Sequence, residues 1–150
     1  MELIDYTGKL NKHNDYIHIL NKISEKCEYI EVVILDEKDI NELVDRFKED
    51  IIDVRKGKEW WGTEVVSDEP CNYLYRLKYG KRLNTYLTKF ETFCKYYEYG
   101  TTKKSLEYGD YSERTDFGID DIAFYDSEDN FLLWTTTHEG YIWIDENIIK

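Results

Sequence analysis

Proline is almost absent from this chain: Pro70 is the single one in 150 residues, and no Gly/Ser-rich stretch accompanies it. Nothing in the composition marks a linker, so the length reads as one domain, residues 1–150. Cysteine is scarce too. Cys27, Cys71 and Cys94 are odd in number and far apart. That spacing matches neither a disulfide framework nor a CxxC metal or redox pair. A reducing compartment, the cytoplasm, is the expected location. Long apolar runs are missing. The longest, Val-Val-Ile-Leu at 32–35, is strand-sized and far short of the ~18–20 residues that cross a bilayer. Met1-Glu2-Leu3-Ile4-Asp5 has neither the basic nor the apolar region of a secretory leader.

Positive charge is the other shortage. Twenty Lys and Arg stand against 32 Asp and Glu, a net charge of −12. The imbalance is uneven. From Arg76 to Lys104 there are eight cations (Arg76, Lys78, Lys81, Arg82, Lys89, Lys95, Lys103, Lys104) against Glu91 and Glu98. This window is therefore +6 and the remainder of the chain −18. An acidic surface disfavours nucleic-acid backbones, whose binding is driven by Lys/Arg and counterion release. It equally disfavours anionic membranes. It favours rapid encounter with a cationic protein.

Aromatic residues are plentiful: 14 Tyr and 4 Trp, within a 41% hydrophobic chain. Intrinsic disorder, which needs few aromatics, is excluded. A chain of this length buries roughly 68–70% of its unfolded surface.

Periodicity supplies the elements. Tyr16, Leu20, Ile23 and Cys27 share one helical face, predicting a helix over 14–26 capped by Asn14 or Asp15. Residues 29–35 are apolar on both faces, as in a strand inside a sheet. Ile40, Leu43, Val44, Phe47, Ile51 and Val54 predict a helix over 39–56, opened by Asp39 with Glu42 and stopped by Gly57. Strands over 60–66 and 73–79 are expected to form a hairpin. A third helix is expected over 82–98 from the stripe Leu83, Tyr86, Leu87, Phe90, Phe93, Cys94 and Tyr97. Residues 101–117 read as a long loop. Strands over 119–125, 131–137 and 141–144 form a meander with turns at 126–130 and 138–140. The fold class is α+β: about three helices packed on a mainly antiparallel sheet that ends in a three-stranded C-terminal meander.

No catalytic residue, metal ligand or cofactor site is indicated. His13 and His18 are five apart, off the i, i+4 edge that a zinc pair needs. His138 sits in a turn. No serine lies in a GxSxG context, and no phosphate-cradling glycine motif occurs. Acidic residues do cluster: Asp116, Asp120, Asp121, Asp126, Glu128 and Asp129 fall close together. Residues 126–130 share part of a calcium-loop pattern but lack its glycine and closing glutamate. The cluster reads either as a solvated turn and strand face or as an acidic binding face. Adjacent Trp60 and Trp61 would point to opposite faces of a strand, leaving one near the surface beside Glu59 and Glu64. Trp and Tyr anchor interfaces, so Trp61 and Tyr111 join the six acids as candidate partner-binding residues. Tyr96, Tyr99, Tyr108 and Tyr111 lie off the core stripes and are expected at the surface.

These characters occur together with the meander Asp121-Ile122-Ala123-Phe124-Tyr125-Asp126, Phe131-Leu132-Leu133-Trp134 and Gly140-Tyr141-Ile142-Trp143-Ile144. Small, acidic, aromatic-rich and without a catalytic signature, the chain resembles the immunity proteins of bacterial polymorphic and contact-dependent toxin systems. No family motif transfers a residue role. The resemblance implies a non-catalytic cytoplasmic protein that binds a basic partner, its cognate toxin domain and often a nuclease, by covering the active site. Two other readings stay open. One is a phage-encoded inhibitor of a host defence nuclease, acting as a nucleic-acid mimic. The other is a small nucleotide-binding protein or enzyme that uses the basic, tyrosine-rich segment 76–104.

Overall fold

A computed structural model describes residues 2–34, 41–57, 60, 61, 72–115, 117, 119 and 121–150. In chain order these form β1 (Leu3–Asp5), α1 (His13–Ser24), β2 (Tyr29–Ile34), α2 (Glu42–Arg46), a 3-10 turn (Lys48–Asp50) and β3 (Ile51–Gly57). There follow β4 (Asn72–Lys78), α3 (Lys81–Leu87), β5 (Cys94–Tyr97), α4 (Lys103–Tyr108) and β6 (Tyr111–Arg114). The chain closes with β7 (Asp121–Tyr125), β8 (Phe131–Thr136), β9 (Tyr141–Asp145) and α5 (Glu146–Ile149). Seven strands make one sheet in the order β1-β9-β8-β7-β2-β4-β3, and β5 pairs with β6 in a separate hairpin. Every pairing among the described residues is antiparallel. The class is therefore α+β on an antiparallel sheet. The meander β7-β8-β9 forms as expected, but it does not end the sheet, because β1 adds to β9 as an outer strand.

β2 lies between β4 and β7, where a strand apolar on both faces belongs, and Ile30 to Ile34 are all buried. Its Ile30, Val32 and Ile34 meet Ile122, Phe124, Leu133, Ile142 and Ile144 on one side of the sheet. Helix α1 lays Tyr16, Ile19, Leu20 and Ile23 on that side, and α3 adds Leu83, Tyr86 and Leu87. Each such side chain contributes roughly 1.5–3 kcal/mol by leaving water.

Two expected helices end early. Helix α2 is capped by Asn41, whose side chain accepts from the Val44 N–H at 3.0 Å, not by Asp39, which lies outside the described residues. After Asp50 the chain becomes β3 and pairs with β4. Ile51 and Val54 fit a helical stripe, but their β-branched side chains, and that of Ile52, suit a strand once β4 supplies a ladder. Helix α3 likewise stops at Leu87. Beyond it, Phe90 and Phe93 turn onto Phe117 at ring distances of 4.5 and 5.8 Å, and Cys94 to Tyr97 pair with β6. The expected loop 101–117 contains α4 and β6. Thr102 and Ser105 reciprocally cap α4. The expected strand 60–66 lies largely outside the described residues. Trp60 and Trp61 are in no strand, and β4 pairs with β2 and β3. Helix α1 begins at His13 with Lys12 at its N-cap, so neither Asn14 nor Asp15 caps it.

The β5–β6 hairpin is tied down by Asn11. Its amide donates to the Tyr96 carbonyl at 2.6 Å and accepts from the Tyr96 N–H at 3.0 Å. A side chain thus takes the place of a third strand.

Candidate binding face

Side chains alternate across a strand, so the residues between the core positions form a second face turned away from α1 and α3. The strand registers join them into one transverse row. Asp5 of β1 is opposite Trp143 of β9, and Trp143 is opposite Trp134 of β8. Trp134 is opposite Ala123 of β7, which is opposite Glu31 of β2. Glu31 is opposite Arg76 of β4, and Arg76 is opposite Asp53 of β3. A shorter parallel row runs through Lys78, Tyr29, Tyr125 and Phe131. The indoles of Trp134 and Trp143 stack at 5.9 Å and 20°, and Tyr125 meets Phe131 at 4.8 Å.

Glu31 is the electrostatic centre of this face and is only 2% exposed. A buried carboxylate is tolerated when paired and hydrogen-bonded. Arg55 Nη1 approaches it at 2.7 Å, the Tyr125 hydroxyl donates to it at 2.6 Å, and Arg76 Nη1 lies 4.0 Å away. The Arg76 guanidinium lies 4.5 Å from the Tyr29 ring and 5.2 Å from the Tyr125 ring, and it also pairs with Asp129. Burial, then the Glu31 hydrogen bond, drives the Tyr125 hydroxyl well above its ordinary titration range. Arg55 and Asp129 reach solvent, so the network opens at its rim.

The acids expected to form one binding face are dispersed. Asp116 and Asp120 lie outside the described residues. Asp121 is buried and accepts from the Trp60 indole N–H and the Thr137 N–H, both at 2.5 Å, so it braces the interior. Asp126 accepts from the N–H groups of Glu128 and Asn130, each at 2.9 Å, holding the β7–β8 turn as Asp commonly does. Asp129 has a positive φ of 63° in that turn and is paired with Arg76. Glu128 is exposed. Among the described residues no group of three or more His, Cys, Asp or Glu is placed to hold a metal ion.

Trp61 is half-buried along β8. Its indole N–H donates to the Thr135 carbonyl at 2.9 Å, and its ring meets Phe131 at 6.5 Å. Tyr111 belongs to the hairpin, stacked on Tyr97 at 4.6 Å and 12°. Beside it Glu113 is held below its ordinary value, chiefly by the Lys104 hydrogen bond. Of the tyrosines expected at the surface, Tyr99 and Tyr108 are 67% and 71% exposed, while Tyr96 and Tyr111 are half-buried. The row residues Trp134, Trp143, Glu31 and Arg76 were not among the partner-binding candidates read from the sequence. Alternation in the meander could have paired the two tryptophans. The joining of β2 to β7 and β4 has no local signal.

Cys27 and Cys94 pack as small core-side residues. Both thiols are pushed up to about 12, with burial the main cause. The folded protein keeps protons that the unfolded chain releases near 9.0. The stability they contribute is therefore complete below that value and is lost as pH rises towards 12. The buried hydroxyls of Tyr16 and Tyr79 shift in the same direction. In a Cys71→Ser background, Cys27 and Cys94 are expected to resist an aromatic disulfide reagent at about pH 8 until urea unfolds the chain, since the thiolate is the reactive form. Tm is expected to fall steadily above about pH 9. Rapid labelling of the folded protein would contradict this account of the two thiols.

The chain matches no protein-family model, and no curated protein or solved structure is similar to it. No helix among the described residues is long and apolar enough to cross a membrane.

Proposed function

We propose that the protein is a non-catalytic binder of a basic partner, an immunity protein that neutralises a cognate bacterial toxin by direct contact. The observation that carries this reading is the transverse row on the second sheet face. It sets half-buried Trp134 and Trp143 side by side, with Arg76 in the same row three strands further on, all on rigid, hydrogen-bonded strands. Trp, Tyr and Arg dominate the energetics of interfaces. Holding them on a sheet reduces the ordering cost of association. The net charge of −12 supplies long-range attraction for a cationic toxin domain, raising association above the roughly 10⁵–10⁶ M⁻¹s⁻¹ of uncharged pairs. The contact is assigned to the aromatic row with Glu128 and Asp129 at its rim, in place of a continuous acidic face.

The test is capture of the native partner by the tagged protein from source cells, with identification by mass spectrometry. A basic protein is expected, held more weakly as salt rises. Trp134→Ala with Trp143→Ala is expected to weaken its binding by about thirtyfold or more, the effect of losing at least 2 kcal/mol at a hot spot. The variant's circular dichroism and melting curve control for folding. Unchanged affinity in a folded variant would remove the row from the interface, and a partner with acidic or salt-indifferent binding would remove the functional reading.

A further inference from the structure

On the opposite side of the sheet, a cleft of about 320 Å³ opens between α2 and α3. Four cations line it: Arg46, Lys81, Arg82 and Lys89. In a chain of net −12 such a concentration is unusual, and it arises from two separated segments brought together by folding. Residues 81, 85 and 89 lie four apart, so Lys81, Thr85 and Lys89 rise on one side of α3 and its C-terminal continuation. Arg82 and Tyr86 occupy the neighbouring stripe.

The two arginines are set by crossed contacts. Arg46 ends α2 and lies 5.1 Å from the Tyr86 ring of α3, while Arg82 of α3 lies 5.2 Å from the ring of Phe47, the residue after α2. Phe47 and Tyr86 themselves meet edge to face at 5.5 Å, and both are buried. Each guanidinium thus rests on the other segment's ring, over a fixed aromatic floor. This narrows its freedom and presents its fork of donors, the geometry suited to bidentate oxyanion recognition.

Charge neutralisation is incomplete. Arg46 pairs with Glu42 at 2.9 Å in an exposed i, i+4 contact, a class worth little. Among the described residues Lys81, Arg82 and Lys89 form no ion pair. Like charges facing one cleft repel unless an anion joins them. The ring faces are already covered by guanidinium groups, so stacking of a nucleobase is not what the floor offers. The wider acidic surface would repel an extended polyanion, while a compact one meets only the cleft.

We infer that the α2–α3 cleft binds a small phosphorylated ligand, recognised by its di- or polyphosphate through Arg46, Arg82 and the flanking Lys81 and Lys89. This site is independent of the partner-binding row, and its failure would leave that reading intact.

Isothermal titration calorimetry on the full chain, in buffer free of phosphate and sulfate, tests it with pyrophosphate, a nucleoside triphosphate and the matching nucleoside. Pyrophosphate and the triphosphate are expected to bind and the nucleoside not to. Equal affinity for the first two would identify inorganic polyphosphate as sufficient, and tighter triphosphate binding would identify a nucleotide; either supports the site. Arg82→Gln with Lys89→Gln should weaken binding at least tenfold. Because Arg82 also packs on Phe47, Lys81→Gln with Lys89→Gln is the second variant, which leaves both ring contacts in place and should give a loss of the same order. Absence of binding by both phosphates, unchanged affinity in the lysine variant, or equal binding of the nucleoside would overturn the inference. Tighter binding of a short single-stranded oligonucleotide than of pyrophosphate would also overturn it, reassigning the cleft to a nucleic-acid backbone.

Discussion

Phe124→Ala is expected to destabilise the protein by about 3–5 kcal/mol, the range for deleting a buried aromatic ring. At this chain length the loss corresponds to a Tm lower by roughly 6–20 °C. Phe124 is fully buried on β7, in the middle of the sheet. Its ring meets Phe93 at 5.8 Å and Tyr79 at 6.1 Å. Those contacts join the strand to two segments remote in sequence, the entry to β5 and the turn before α3. The site cannot collapse easily, since backbone on both sides is held by β2 and β8. Phe124→Leu, which retains most of the volume, should lose markedly less. Urea denaturation measures both. A loss under about 1 kcal/mol for the alanine variant would mean that Phe124 is not a core residue of this kind.

Gly140→Ala is expected to destabilise by about 2–5 kcal/mol, combining a left-handed backbone penalty with overpacking. Gly140 ends the β8–β9 turn at φ +78°, and an added Cβ would lie 2.8 Å from Ser112 Cβ and 2.9 Å from Tyr96 Cδ2. The turn and the β5–β6 hairpin approach each other through this missing side chain. Ser112 Oγ also lies 3.3 Å from the carbonyls of Thr137 and His138. Gly100 provides the control. Its φ is +87°, but nothing lies within 4 Å of an added Cβ, so Gly100→Ala should show only the backbone penalty of about 1–2 kcal/mol. The difference between the two midpoints, at equal denaturant slope, isolates the steric term. Gly140→Ala should also expose the hairpin to limited proteolysis. Equal losses at both glycines would show that the hairpin does not pack on this turn.

The two proposed surfaces face opposite ways. The aromatic row lies on the sheet face turned away from α1 and α3 and the cationic cleft on the helical side. A partner on one face and a small anion on the other can therefore be measured separately. Any influence of pyrophosphate on partner affinity would report coupling through the sheet.

The sequence by itself determined the elements whose signals are local. The α1 stripe, the doubly apolar β2 and the β7-β8-β9 meander were legible because period and turn chemistry lie within about a dozen residues. The −12 charge and the basic window at 76–104 were legible in the same way. Tertiary structure decided the rest. Residues 51–56 fit a helical stripe equally well until β4 offered a ladder, and residues 94–97 did so until β6 and Asn11 did. It also decided the fate of the carboxylates. Asp121 stands in an acidic cluster of the sequence and Glu31 in an apolar strand, and a Trp60 indole and two arginines from β3 and β4 make their burial tolerable. The physical reason is common to all these cases. Hydrophobic period is written along the chain, whereas strand partners, ion pairs and clefts are contacts across it, selected by the free energy of the whole fold.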